Sequence, residues 1–252
     1  GNLFFNTTHQ KVLKALHQVD YLSPKYHVVI ANPPYMGGNS MNGRLRVFAD
    51  KKYKECKSDL FAMFIERNLD LAIKRGMIAM ITMQSWMFLS SFEKLRERLL
   101  DKSTIVSMAH LGARAFDSIG GEVVSTTAFV INKKHHPEYK GAYLRLVDGR
   151  NEAEKEEELR LMREKPYRVS AADFKKIPGS PIAYWVSEKL TDPFILANKS
   201  IYDWTISDGQ TKTGDNDRFL RKLLAMMLEQ ILNGGITPKE ARFADGMETS
   251  SG

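Results

Sequence analysis

Tyr26-His27-Val28-Val29-Ile30-Ala31-Asn32-Pro33-Pro34-Tyr35 is the stretch that decides the fold of this 252-residue chain. Its first six residues are a short apolar, β-branched run, the pattern of a buried parallel strand. The strand must stop at Asn32. Two successive prolines cannot donate to a ladder, and they force extended geometry on the residues before them.

Outward from that strand, helix and strand patterns alternate. Residues 8–19 carry apolar side chains at helical spacing (Val12, Leu13, Leu16, Val19). Residues 36–58 read as a long polar connection rich in Gly and Lys, and connections of that length are usually functional or disordered. Asp59 is placed to cap a helix running through Lys74, with Leu60, Phe64, Ile65, Leu69 and Ile73 on its buried side. Residues 76–82 read as a second buried strand. Residues 90–102 read as a helix opened by Ser90 or Ser91. Residues 104–111, 126–132 and 143–147 read as further strands. Residues 151–165 form a charged stretch expected to be a solvated surface helix. The pattern is that of an α/β sheet ending in a hairpin. A linker-like Ile177-Pro178-Gly179-Ser180-Pro181 suggests a boundary, dividing the chain into residues 1–177 and 178–252. In the second part, Asp215 or Asn216 can cap a helix with a broad leucine-rich face.

Composition limits the function classes. Lys and Arg number 37 against 30 Asp and Glu, a net charge of +7 that suits a polyanionic partner. The single cysteine, Cys56, excludes an intrachain disulfide and a cysteine-based zinc site. His135 and His136 are adjacent, a poor spacing for two ligands of one metal, so no metal is expected. No apolar run is long enough to span a bilayer and the start lacks the features of a signal peptide, which points to the cytoplasm. The first residue is Gly1, and the opening reads like mid-domain sequence, so a fragment is expected.

Chemistry resides in Asn32-Pro33-Pro34-Tyr35. Ligands of open α/β sheets sit outside the carboxyl ends of the strands, where this tetrapeptide falls. An exocyclic or amide nitrogen is a poor nucleophile because its lone pair is delocalised. A site that accepts both of its hydrogens in one plane leaves that lone pair free to meet an electrophilic methyl. The Asn32 side-chain oxygen is one acceptor, and the Pro33 carbonyl, stiffened by the ring that follows, is the second. Tyr35 offers a face for a flat ring, worth about 1–3 kcal/mol per base in comparable contacts. Such a site works by orientation and electrostatics rather than by a strong base. The alternative is that the prolines merely end a strand and Tyr35 packs nearby. With proline at about 5% of residues, the tetrapeptide arises by chance in on the order of one chain in a thousand of this size.

Residues 28–35 resemble motif IV of amino-methyltransferases. Ser58-Asp59-Leu60-Phe61, residues 76–82, Trp86-Met87-Phe88, Leu95-Arg96 and His110-Leu111-Gly112 through Phe116 follow in the order of the adenine-specific DNA branch. The sequence is similar to the PglX-type methyltransferases of BREX phage-defence systems and to type IIG restriction-modification enzymes. Thr213-Gly214-Asp215-Asn216-Asp217-Arg218-Phe219-Leu220-Arg221 resembles the opening of their target-recognition region. The resemblance implies the C-terminal part of a Rossmann-like sheet, with a helical or irregular C-terminal appendage. It also implies S-adenosyl-L-methionine as cofactor and methyl transfer to adenine N6. The implied partners are double-stranded DNA with a flipped adenine and other proteins of the defence system. The glycine-rich loop that binds the cofactor in the family is missing: none of the 31 residues before Asn32 contains a Gly-x-Gly pattern. The cofactor-binding residues are therefore unassigned, and the chain alone is expected to bind the cofactor weakly or not at all.

Trp86 and Phe88 follow a strand and are candidates to line a pocket for an extruded base, with core packing as the alternative. Asp59 is a candidate pocket neighbour, although a helix cap suits it better. Phe116 resembles the family's pocket-side aromatic. Lys51, Lys52, Lys54 and Lys57, with Lys212 and Arg218 further on, are candidate phosphate contacts. Two rival functions remain. One is methylation of a glutamine amide or RNA base amine, since release-factor glutamine methyltransferases share Asn-Pro-Pro-Tyr. The other is a non-catalytic DNA- or partner-binding piece.

Overall fold

The structure, a computed structural model, describes residues 2–116, 124–187 and 189–192. By internal contacts the chain divides into Gly1–Trp185 and Val186–Gly252. The first unit carries the sheet and the candidate site; the leucine-rich helix expected after Asp215, with Lys212 and Arg218, lies outside the described residues.

Helix α1 (Asn2–Leu22) leads into β1 (Tyr26–Ala31), and α2 (Gly43–Lys52) and α3 (Leu60–Leu71) follow. Then come β2 (Ala72–Met83), α4 (Glu93–Lys102), β3 (Thr104–Gly112), β4 (Thr126–Asn132), β5 (Gly141–Arg145), α5 (Glu152–Met162), β6 (Tyr167–Val169) and α6 (Ala171–Phe174). The six strands are ordered β1-β2-β4-β3-β5-β6. β1 pairs parallel with β2 and β3 with β5, while β4 and β6 run antiparallel to their neighbours. β4 returns from β3 as the expected hairpin and inserts between β2 and β3, so the carboxyl ends of β1, β2, β3 and β5 share one rim.

One face of the sheet is the core. Ile78 and Met80 of β2, Ile105 and Met108 of β3, and Phe129 and Ile131 of β4 are buried there with Phe61 and Ile65 of α3 and Leu95, Leu99 and Leu100 of α4. The other face is open. Ala79, Ile81, Ala109, Val130 and Leu144 help to floor a trough of about 520 Å³.

Several expectations need correcting. β1 has the expected bounds and pairing, but among the described strands it is an edge and not a buried strand: Val28 is 55% and Ile30 78% exposed. An apolar run reports what a strand can bury, and periodicity does not tell how many neighbours it has. The connection at 36–58 is not structureless, because Asn42 accepts a hydrogen bond from the Leu45 amide (2.9 Å) and starts α2. Helix α3 ends at Leu71, three residues before Lys74, and the chain turns into β2. Arg75 there takes a φ of 70°, and a Cβ on Gly76 would meet the carbonyl oxygens of Tyr26, His27 and Ile73 at 3.1 Å. Neither Ser90 nor Ser91 caps α4 through its side chain: a 3-10 turn over Ser90–Phe92 precedes the helix. β5 starts two residues before Tyr143. Helix α5 is capped by Asn151 and mostly solvated, but its Lys155 is buried, donating to the carbonyls of Leu111 (2.7 Å) and Leu146 (2.8 Å).

The linker-like segment 177–181 also behaves differently. The guanidinium of Arg96, buried in α4, donates to the Gly179 carbonyl from Nε (3.0 Å) and Nη2 (2.8 Å). The Ile182 amide donates to the Met87 carbonyl at 2.9 Å. The segment is thus a strap bound to the first unit. Proline and glycine mark a turn in sequence, but the turn here is anchored by a buried charge. Among the described residues no helix is long and apolar enough to cross a membrane.

Candidate active site

The tetrapeptide leaves the carboxyl end of β1 where the strand pattern placed it. Pro33 is buried, Tyr35 half-buried, and Asn32 and Pro34 exposed. Asn32 reaches the wall of the open trough, and no described residue hydrogen-bonds its side chain. The Tyr35 ring meets Phe61 edge-on, with centroids 6.2 Å apart. Burial pushes the Tyr35 hydroxyl pKa up, so the ring is a neutral phenol at physiological pH.

Asp59 holds the segment after the tetrapeptide. Its Oδ1 accepts from the Met36 amide (3.0 Å) and from the Phe61 amide (3.2 Å), so one carboxylate both caps α3 and ties down the loop. The Leu60 amide donates to the Met36 carbonyl (3.0 Å) and the Gly38 amide to the Ser58 carbonyl (2.9 Å), which closes the loop against the helix start. Asp59 is the expected cap, and it acts on the tetrapeptide through backbone.

The residues after β2 separate. Trp86 is fully buried in the core instead of facing a pocket, edge-on to Phe129 with its indole N–H donating to Thr82 Oγ1 (3.2 Å). Phe88 is half-buried at the rim, near His110 (6.0 Å between centroids) and Trp185 (5.7 Å). Phe116 is half-buried beyond β3. Lys51 and Lys52 sit in the last turn of α2, where a helix end favours cations. Lys54 is exposed. Lys57 pairs with Asp50 at 2.7 Å, with both side chains about half exposed.

A second cluster on the rim was missed by sequence reasoning. His110 is buried between Gln84, whose Oε1 is 2.7 Å from Nε2, and Tyr184, whose hydroxyl is 3.1 Å from Nδ1. Burial, then the charges of Arg145 and Lys155, lower its pKa from 6.5 to about 4, so the ring is neutral at pH 7. With a carbonyl oxygen at Nε2, that nitrogen carries the proton, and Nδ1 accepts from Tyr184. Arg96 Nη1 donates to the carbonyls of Trp86 (3.0 Å) and Leu89 (2.6 Å), fixing the 86–89 turn to the same strap that brings Tyr184 and Trp185. The one sequence signal was Arg96 itself, an arginine on the apolar stripe of Phe92, Leu99 and Leu100.

Residues 4–116 match the Eco57I restriction-modification methylase family. The chain is 45% identical over 216 residues to the adenine-specific methyltransferase BrxX of Escherichia coli O9:H4 (strain HS), covering 84% of this chain and 17% of that protein. By sequence, this chain is a relative of the adenine-specific methyltransferases. A second relative, the adenine-specific methyltransferase PglX of Lacticaseibacillus casei (strain Zhang), is 43% identical over 219 residues, covering 84% of this chain and 18% of that protein. The chain thus spans less than a fifth of the curated relatives it matches. Among solved structures, the type IIG restriction endonuclease BpuSI superposes with a TM-score of 0.46 at 15% identity, over 65% of this chain and 21% of that one.

The methyl donor of such enzymes needs a cradle, and the described residues do not fit one. Between Asn2 and Tyr26 this chain has a single helix and a short turn without a glycine. The outer edge of β1 has no described strand beside it.

Proposed function

We propose that this chain supplies the base-gripping part of a site-specific DNA methyltransferase acting on adenine N6 in restriction-modification or phage defence. The observation that carries the reading is the setting of Asn32-Pro33-Pro34-Tyr35: an unengaged amide at a strand's tip, a buried proline behind it, and a tyrosine braced by Phe61.

An adenine turned out of its duplex brings its N6 amino group to this tip. The Asn32 oxygen accepts one hydrogen and the Pro33 carbonyl the other, while the base lies against Tyr35. The Pro33 carbonyl is held before the base arrives, because Pro33 is buried and the Met36 amide is tied to Asp59, while the unengaged Asn32 amide is available to meet the base. Holding both hydrogens directs the nitrogen lone pair away from the protein and stabilises the positive charge that develops on N6 during transfer. The methyl comes from S-adenosyl-L-methionine. The described residues form no cradle for it, so on this reading transfer needs a cofactor-binding segment beside them.

The test joins the chain to the cofactor-binding segment of the 45%-identical relative and measures tritium transfer from S-adenosylmethionine to duplex DNA. The fusion should be active, and Asn32→Ala in it should lose more than about tenfold in rate. Equal incorporation with and without Asn32 would remove that residue from the mechanism. A fusion that binds DNA but transfers nothing would favour the non-catalytic reading, to which the missing cradle also points. Transfer to a release factor with DNA left unmodified would favour the glutamine-amide reading.

A further inference from the structure

The cluster around His110 is not used by the chemistry above. His110 is no general base: both ring nitrogens are engaged, and its neighbours Arg145 and Lys155 disfavour a proton on it. Its effect is to hold two other groups. The Gln84 carbonyl is committed to the His110 N–H, which leaves the Gln84 NH₂ as a donor that no described residue accepts. Over the imidazole lie Phe88 (6.0 Å) and Trp185 (5.9 Å), themselves 5.7 Å apart, with Trp185 38% exposed and Phe88 half-exposed.

These groups are preorganised. The Arg96 guanidinium grips the carbonyls of Trp86, Leu89 and Gly179, the Ile182 amide bonds the Met87 carbonyl, and Tyr184 packs edge-on against Trp185 at 5.0 Å. A buried charge spent on three carbonyls holds the 86–89 turn and the 179–185 strap together. The result is two partly exposed aromatic rings and a hydrogen-bond donor gathered around His110. A flat heteroaromatic ring with acceptor nitrogens on its edge matches that chemistry: it gains stacking on the rings and a hydrogen bond from the amide.

The place matters as much as the chemistry. Gln84 and Phe88 leave the end of β2, beside β1, but both side chains lean on His110 of β3, which β2 and β4 separate from β1 and Asn32. Three strand spacings amount to about 14 Å, too far for one base to be held at both. Turning one base out of a duplex leaves the opposite base without its pairing partner and the flanking bases without one stacking neighbour, so a second base is easily displaced.

We infer that Phe88, Trp185 and the Gln84 amide form a subsite for a second, unstacked nucleobase, separate from the base presented to Asn32. The inference rests on the DNA-methyltransferase reading. His110 and Tyr184 are positioning residues in it, because they act through Gln84.

The experiment titrates the protein against a DNA duplex carrying two bulged 2-aminopurines, following their fluorescence, with anisotropy of the fully paired duplex as reference. The protein should bind the bulged duplex more tightly than the paired one and quench its fluorescence. Trp185→Ala should weaken bulge binding by about fivefold or more while leaving the paired duplex unchanged. Trp185→Phe should keep most of it. Phe88→Leu, which preserves apolar volume, should also weaken it. Tyr35→Ala should multiply with Trp185→Ala, as independent sites do. Bulge preference unaltered in Trp185→Ala and Phe88→Leu would overturn the subsite and leave the methyltransferase reading standing. So would a Tyr35→Ala loss that accounts for the whole preference. A protein that binds neither duplex would overturn both.

Discussion

His110 shows how a single buried side chain sets the behaviour of a rim. Its folded pKa of about 4 lies below the ordinary 6.5, because burial, Arg145 and Lys155 all oppose the charged ring. The unfolded chain therefore binds more protons than the folded one between those values. The stability due to neutral His110 is complete above about pH 6.5 and is lost as the pH falls towards 4. Urea midpoints taken at pH 7, 6, 5 and 4 should fall for the wild type. His110→Asn, which keeps a polar group but does not titrate there, should be less stable at pH 7 and follow a flatter curve. Parallel curves would mean that the acid loss comes from other groups. A histidine inside Met-Ala-His-Leu carries no sign of any of this in sequence. Its partners, Gln84 and Tyr184, are 26 and 74 positions away.

Element by element, legibility follows burial. β1 and β4 have the bounds that sequence expects, because β-branched runs between Pro, Ser and Lys have sharp ends. Helix α2 escaped notice because nearly all of it is exposed, with Ala49 its one buried residue, so no apolar stripe announces it. Helix α3 is visible through Leu60, Ile65 and Asp59, but its end is not: Gly76 is demanded by the backbone of β1, a neighbour that local sequence cannot see. Asp59 was legible as a cap, whereas its bond to Met36 was not, since 23 residues separate them. That second bond makes a prediction about the element. Asp59→Ala should cost about 1 kcal/mol through the cap, and more where the Met36 amide loses its partner. In a unit of this size 1 kcal/mol lowers Tm by about 2–4 °C. Asp59→Asn retains an acceptor oxygen and should keep most of the stability. If thermal melts place the asparagine variant with the alanine one, the carboxylate charge is what holds the loop.

At the scale of the whole molecule, the edge of the sheet at β1 is the feature that governs association. The place of the tetrapeptide was readable because it is set locally, by four adjacent residues that follow an apolar run. The state of the sheet was not, because a sequence run specifies a strand's faces and leaves its neighbours unspecified. Among the described residues β1 presents a ladder edge with no partner strand, with Val28 and Ile30 exposed, and α1 exposes Val12, Leu13, Leu16 and Val19. A long apolar edge with unpaired N–H and C=O groups is a template for another strand, and natural sheets usually blunt such edges with charge, proline or a bulge. The outer face of β1 carries none of these between Val28 and Ala31. The chain by itself should therefore associate with concentration, although its net charge of +7 opposes this at low salt. Sedimentation velocity at rising protein concentration should show larger species, more of them in high salt where repulsion is screened. Val28→Lys with Ile30→Lys should return the chain to a monomer. The fold should be little altered, because substitutions of exposed residues usually change stability by within about 0.5 kcal/mol. Ile78→Ala, one strand inward and fully buried, should instead cost about 2–5 kcal/mol. A wild-type chain that stays monomeric at every salt concentration, or a double lysine variant that still associates, would show that the β1 edge is not where this molecule is exposed to other strands.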